Sequence, residues 1–229
     1  MNKDKAKLLS YLEEKGVTKR TIDAFAQVEQ EAFIPKAVGM RYYQLSPIPV
    51  GFGEHSDDPL LLAQMIDLLG PKDSWRLLEV GGGSGYSSAI LSLLVKELVT
   101  VEFNENLAKM AKEKIIDNGY FNVRSFAGDA SKITDGLGMF DGAIVLAACT
   151  QRPLGVLSCL RHAGVAVFPM GPVFGQQITR FVNMPAADGD TLRNFSFHGF
   201  CRLPSIRGEY GWVDRMPEPP EPSPNLDQP

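Results

Sequence analysis

The run "RLLEV" opens directly onto "GGGSG" and then onto "YSSAILSLLV", and no other stretch narrows the fold as far. A short apolar run closed by glycines reads as a buried strand, and the longer run after it as a helix. Glycines between them let the backbone turn tightly and approach a ligand at a helix N-terminus. The alternation then repeats. "ELVTVE" predicts a strand, "ENLAKMAKEKIIDNG" a helix closed by Gly119, and "VRSFAGD" and "FDGAIVLAA" two further strands. "PLGVLSCLRHAG" predicts a helix and "VAVFPMG" a strand, while "QQITRFVNM" and "FSFHGFCRLP" alternate without a helix between them. Strands alternating with helices predict an α/β fold with a parallel sheet covered on both faces, here ending in an antiparallel pair.

Upstream, residues 5–15 and 19–30 read as two amphipathic helices broken at Gly16. "AFIPKAV" predicts an extended segment, because Pro35 disfavours helix at Ile34. The polar stretch "VGFGEHSDDP" leads into a helix over 59–69 that stops at Gly70. Pro59 suits a first helical position, which makes Asp58 its N-cap. The closing "MPEPPEPSPNLDQP" is proline-rich and acidic and predicts a disordered or extended tail.

The totals exclude several classes. The 229 residues, 44% of them hydrophobic, suit one ordinary domain with an adequate core. A net charge of -4 shows no basic face for nucleic acid. Cys149, Cys159 and Cys201 are scattered and form no C-x-x-C, so neither a zinc knuckle nor a disulfide framework is expected. The N-terminus has no signal-peptide core, and no apolar run reaches the roughly 20 residues that span a bilayer. These features predict a soluble cytoplasmic protein without a membrane partner.

The glycine loop is not a dinucleotide fingerprint. Read from Gly81, the third glycine position is Tyr86; read from Gly83, it is Ser88. No G-K-[ST] follows, so a phosphate loop is excluded as well. Glycines 81, 83 and 85 behind Glu79 suit a smaller, cationic ligand. Glu102 closes the next strand, where a carboxylate is placed to accept from two ribose hydroxyls. Asp129 closes the strand after that, placed to accept from an exocyclic amine. Each acid alone reads as readily as a helix cap or a solvated loop residue. Together, at the carboxyl ends of successive strands, they describe a site for an adenosine without phosphate.

These motifs resemble the S-adenosylmethionine site of class I methyltransferases. More narrowly, "EAFIP", "SPIPVGFG" with Pro59, "LLEVGGGSGYSSAIL", "FDGAIVLAAC", "LRHAGVAVFPMGP" and "FCRLP" resemble the protein-L-isoaspartate O-methyltransferase family in order and spacing. The resemblance spans roughly residues 18 to 205. It implies a Rossmann-like, seven-stranded, mostly parallel sheet with a C-terminal antiparallel hairpin. It also implies S-adenosyl-L-methionine as methyl donor, and isoaspartyl or D-aspartyl residues of a peptide or protein as acceptor. Glu79, Gly81, Gly83 and Gly85 would shape the donor pocket, Glu102 hold the ribose, and Asp129 sit near the adenine. Gly82, Ser84, Phe103, Gly128 and Ala130 complete the expected cofactor site. Residues 1–58 are expected to form N-terminal helices and a substrate loop on a donor-binding domain over 59–213, with 214–229 as tail. A monomer or weak oligomer is expected.

The loop departs from the family pattern. Where relatives typically carry Gln-Thr-Ile-Ser, this chain has Glu54, His55, Ser56 and Asp57, so an acid stands where a hydroxyl is usual. Asp57, His55 and Ser56 are the candidate catalytic residues. A carboxylate acceptor is already ionised at neutral pH and needs donors rather than a base. Two like charges about 4 Å apart repel by roughly 4 kcal/mol at an effective dielectric near 20. Asp57 escapes that repulsion by binding a proton; otherwise the loop is hostile to an acidic acceptor. Two alternatives stay open. One is a methyltransferase of the same fold acting on a different O or N nucleophile, including a small molecule, with His55 or Asp57 as base. The other is a non-catalytic S-adenosylmethionine-binding module. No metal is expected, since no further His or Cys lies at ligand spacing from His55, Asp57 and Asp58. His162 is expected at a helix C-terminus and His198 on an edge strand. Arg202 and Arg207 flank a segment expected near the substrate, and Tyr210 and Trp212 are candidates for its mouth.

Overall fold

The computed structural model describes residues 2–36, 42–133, 136–172, 174–184 and 194–208. The expected tail over 214–229, and Tyr210 and Trp212, lie outside the described residues.

Helices α1 (Lys3–Glu14) and α2 (Lys19–Gln27) come first, then a 3-10 turn at Gln30–Ala32. A small hairpin follows, β1 (Pro49–Gly51) and β2 (Glu54–His55), then α3 (Pro59–Leu69). Next are β3 (Arg76–Val80), α4 (Tyr86–Ser92), β4 (Glu97–Glu102), α5 (Glu105–Asp117), β5 (Val123–Ala127) and α6 (Ala130–Ile133). The chain goes on through β6 (Phe140–Val145), α7 (Leu154–Ser158), β7 (Leu160–Met170), β8 (Gln176–Val182) and β9 (Phe195–Cys201).

The main sheet has seven strands in the order β5-β4-β3-β6-β7-β8-β9. It is parallel from β5 to β7, and β8 and β9 run antiparallel beyond it. Alternation along each strand divides the core in two. Leu77, Leu98, Ile144 and Val167 face one cluster; their neighbours Leu78, Val99, Val145 and Phe168 face the other. Leu8, Leu12 and Phe25 of the N-terminal helices join the first cluster with Ile90 of α4, so these helices pack on the sheet's own core. Asp67 of α3 secures the junction, accepting from the Thr18 backbone N–H at 2.7 Å and the Thr18 hydroxyl at 2.6 Å.

The expected helix over "PLGVLSCLRHAG" is corrected. It ends at Ser158, and the chain is paired as a strand from Leu160. Leu160 pairs with Phe140, Val165 with Gly142, and the extra residues between them bulge. Asn183 stabilises the bulge: its amide donates to the carbonyls of Leu160 at 2.8 Å and Arg161 at 3.1 Å. His162 therefore sits exposed in this bulge rather than at a helix C-terminus. His198 lies on the edge strand β9, as expected, in a hydrogen bond with Ser196 at 2.8 Å.

Candidate active site

In open α/β sheets ligands bind at the carboxyl ends of the strands, and a cavity of about 350 Å³ lies there. The residues directly after β3, β4, β5 and β6 form one wall: Gly81–Ser84, Phe103, Gly128 and Leu146. The backbone ladder continues into that wall. Gly81 donates to the Val101 carbonyl, Gly128 to that of Glu102, and Leu146 to that of Val80, each at 2.8 Å.

Glu79 braces the glycine loop from below. It is fully buried, and its carboxylate accepts from the Ser87 hydroxyl at 2.6 Å and from that of Ser88. Burial pushes its carboxyl above the ordinary range; the hydroxyls of Ser87, Ser88 and Thr100 oppose that shift, and the charge of Glu102 adds to it. Glu79 does not itself line the cavity. Gly82 lies directly over this cluster, where an added Cβ would stand 2.2 Å from the Thr100 hydroxyl oxygen and 3.2 Å from a Glu79 oxygen. Gly85 is also behind the wall. It starts α4 with φ at 91°, and a Cβ there would meet Ile115 of α5 at 3.2 Å.

Glu102 borders the cavity and organises it. One carboxylate oxygen accepts from the Gly83 N–H at 3.0 Å, the other from the Asn104 N–H at 2.8 Å. Each oxygen keeps a further acceptor site, so ribose hydroxyls remain within its capacity. Burial raises its pKa against the two backbone amides. Gly128 and Ala130 line the cavity, and Asp129 between them does not. Asp129 caps α6, accepting from the Ser131 N–H at 2.9 Å and hydroxyl at 2.7 Å.

The facing wall comes from the loop around β2, with His55, Ser56, Asp57 and Asp58 all bordering the cavity. Asp58 caps α3, accepting from the Leu61 N–H at 2.9 Å, ahead of Pro59 in the first turn. Ser56 is fastened to Ile48, accepting through its hydroxyl at 3.0 Å and donating its N–H to the Ile48 carbonyl at 2.7 Å. Asp57 retains some accessible surface because it borders the cavity, yet protein surrounds it on its other sides. Burial pushes its carboxyl up to about 8, with Glu79, Glu102 and Asp58 adding repulsion and its own backbone N–H opposing.

The segment 202–207 closes the mouth. Ala148 donates to the Pro204 carbonyl at 2.8 Å, and Ile206 to the Ala148 carbonyl at 2.9 Å. These bonds hold Arg202 and Arg207 at the rim, where Arg207 pairs with Glu54. Glu54 and Arg207 are each notable in the sequence, but they lie 153 positions apart and nothing local links them. Wall residues outside the expected site include Gln30 from the 3-10 turn, and Leu146 and Ala147 after β6, which lie within "FDGAIVLAAC". Among the described residues no cluster of His, Cys, Asp and Glu is fit to hold a metal ion.

A family model for Protein-L-isoaspartate(D-aspartate) O-methyltransferase (PCMT) matches residues 2–194. The chain belongs to that family. A protein-L-isoaspartate O-methyltransferase of Petrotoga mobilis is 33% identical over 203 residues, covering 88% of this chain and 93% of the relative. One from Roseiflexus sp. is 32% identical over 212 residues, covering 92% of this chain and 95% of the relative. Two solved structures share the fold. A protein-L-isoaspartate O-methyltransferase superposes with TM-score 0.77 at 22% identity, covering 90% of this chain and 67% of that one. A Plasmodium falciparum structure described as a beta-aspartate methyltransferase (PCMT) in complex with S-adenosyl-L-homocysteine gives TM-score 0.73 at 18% identity, covering 90% and 99%. Family and fold thus agree with the resemblance carried by the motifs.

Proposed function

We propose that this protein transfers the methyl group of S-adenosyl-L-methionine to the side-chain carboxylate of an isoaspartyl or D-aspartyl residue in a peptide or protein. The observation that carries this is the meeting of two walls in one cavity: the glycine loop with Glu102 on one side, and the loop His55–Asp58 on the other. The residues fit the donor chemically. Gly82 lets the loop seat directly on Thr100 and Glu79, Glu102 offers acceptors for a ribose, and the acids Glu79 and Glu102 behind and on this wall suit a cationic sulfonium. An acceptor carboxylate oxygen attacks the methyl carbon in line, and the C–S bonding pair goes to sulfur. The products are a methyl ester and neutral S-adenosylhomocysteine. No base is required, so the protein contributes chiefly by holding the two reactants in contact.

A second reading is favoured by one observation, the pocket-facing Asp57 with its raised pKa. Such a group suits a general base toward a neutral hydroxyl or amine. The free thiols of Cys149 and Cys201 suit a reducing compartment, which supports a cytoplasmic location. Among the described residues, no helix is long and apolar enough to cross a membrane.

The test pairs two peptides of one sequence, with L-isoaspartyl or L-aspartyl at one position, incubated with labelled donor. Base-labile label on the isoaspartyl peptide alone is the expected result. Base-stable label on another acceptor would establish the second reading. Donor binding without transfer to any acceptor would mark a binding module.

A further inference from the structure

The fold commits three of the loop's polar groups to structure. Glu54 pairs with Arg207, the Ser56 hydroxyl accepts from the Ile48 N–H, and Asp58 caps α3. Asp57 differs: its carboxyl borders the cavity and has no hydrogen bond or ion pair to any other described residue. An acceptor carboxylate entering here needs a donor, and the loop's only hydroxyl, that of Ser56, already donates to the Asp57 backbone carbonyl at 3.3 Å.

We propose that Asp57 binds a proton when the acceptor is present and donates it in a hydrogen bond to the isoaspartyl carboxylate. This rests on the isoaspartyl reading above. The surroundings favour the neutral form. Glu54 and His55 face the cavity from β2, Asp58 from the start of α3, and Glu102 from the end of β4, while Glu79 lies just beneath the wall at the end of β3. Against these acids stand Arg202 and Arg207 at the rim, the second already paired with Glu54. Burial and the neighbouring acids together hold the Asp57 carboxyl at about 8, so it carries its proton through the neutral range. A bound sulfonium draws that value down, and an incoming carboxylate drives it back up. Asp57 on this account sets specificity: it accepts an acidic acceptor by presenting O–H in place of charge. The sign follows directly. The competent form exists below the Asp57 pKa and is lost as pH rises through it.

The experiment measures kcat/KM for an isoaspartyl peptide from about pH 5.5 to about pH 9, read as S-adenosylhomocysteine released so that ester hydrolysis does not interfere. Wild type is expected to fall by about tenfold per pH unit on the alkaline side. Asp57→Asn keeps an amide donor at every pH. It is expected to stay within about tenfold of wild type near pH 6.5 and to lack the alkaline fall. A flat wild-type profile would overturn the proposal, as would the same fall in Asp57→Asn or its loss in His55→Ala. Calorimetry supplies a readout that needs only wild type. Peptide binding to the S-adenosylhomocysteine complex near pH 8.5, in two buffers of different ionisation enthalpy, is expected to take up a substantial fraction of one proton. No uptake would contradict the proposal. Transfer with a flat profile and no uptake would overturn the Asp57 role alone. Donor binding with no transfer at any pH would overturn the isoaspartyl reading as well.

Discussion

The two walls of the cavity contain similar acids, and they differ at one, Asp57. Beneath the donor wall Glu79 accepts from two hydroxyls, and on it Glu102 accepts from two backbone amides. On the acceptor wall, Glu54, Ser56 and Asp58 are held by Arg207, Ile48 and Leu61, and Asp57 is left facing the cavity without such a partner. Partnered acids make a preorganised cradle whose geometry changes little when a ligand arrives. An acid without a partner is the group whose protonation a ligand can change, and there the wall is adjustable.

The largest effect is expected where the donor wall is tightest. Gly82→Ala puts a Cβ 2.2 Å from the Thr100 hydroxyl oxygen, against packed side chains. It is expected to weaken S-adenosylhomocysteine binding by about a hundredfold, or about 2.7 kcal/mol, as calorimetry would show. Binding at wild-type strength would mean that the loop is not the rigid half. Glu79→Ala removes the acceptor for two buried hydroxyls and is expected to cost about 2 kcal/mol of stability in urea unfolding.

The acceptor wall should respond to pH instead. The Asp57 pKa rises from an ordinary 3.8 to about 8 in the folded protein. The folded state therefore keeps a proton that the unfolded chain has released. The contribution is fully present below about pH 4, declines as pH rises toward about 8, and changes no further above that. Urea unfolding of wild type should lose up to about 1.4 kcal/mol per pH unit in that window relative to Asp57→Asn. Parallel curves for the two proteins would place the charge balance elsewhere.

Smaller changes are expected from the partnered residues of the same wall. Asp58→Ala removes a helix cap and should cost about 1 kcal/mol of stability, with the alkaline limb of the activity profile unmoved. Arg207→Ala breaks a rim pair that is half in solvent and should change stability by less than about 1 kcal/mol. A larger loss would mean that the pair holds the segment 202–207 against the mouth.

Much of this was legible in the sequence because it is local. The strand–glycine loop–helix run, the Asp58–Pro59 helix start and the paired late strands all appear where the sequence places them. Errors came where distant residues override local pattern. Helix α7 stops early because Asn183 and Phe140, far along the chain, draw Leu160 and Arg161 into β7. Asp129 reads equally well as an adenine contact and as a cap, and its carboxylate caps α6. Glu79 is marked by its place before the glycines, but its role as a brace depends on hydroxyls of the next helix pointing back beneath the loop. The isolation of Asp57 is legible only once the engagements of all its neighbours are known.

The most direct measurement is a crystal structure with S-adenosylhomocysteine and an isoaspartyl peptide bound. The expected result has the nucleoside held between the glycine loop and Glu102, with the sulfur facing the loop His55–Asp58. The isoaspartyl carboxylate should lie within about 3 Å of an Asp57 oxygen, a contact that two ionised carboxylates do not make. A carboxylate seated on Arg202 or Arg207 and remote from Asp57, or a sulfur turned away from that loop, would contradict the division of work between the two walls.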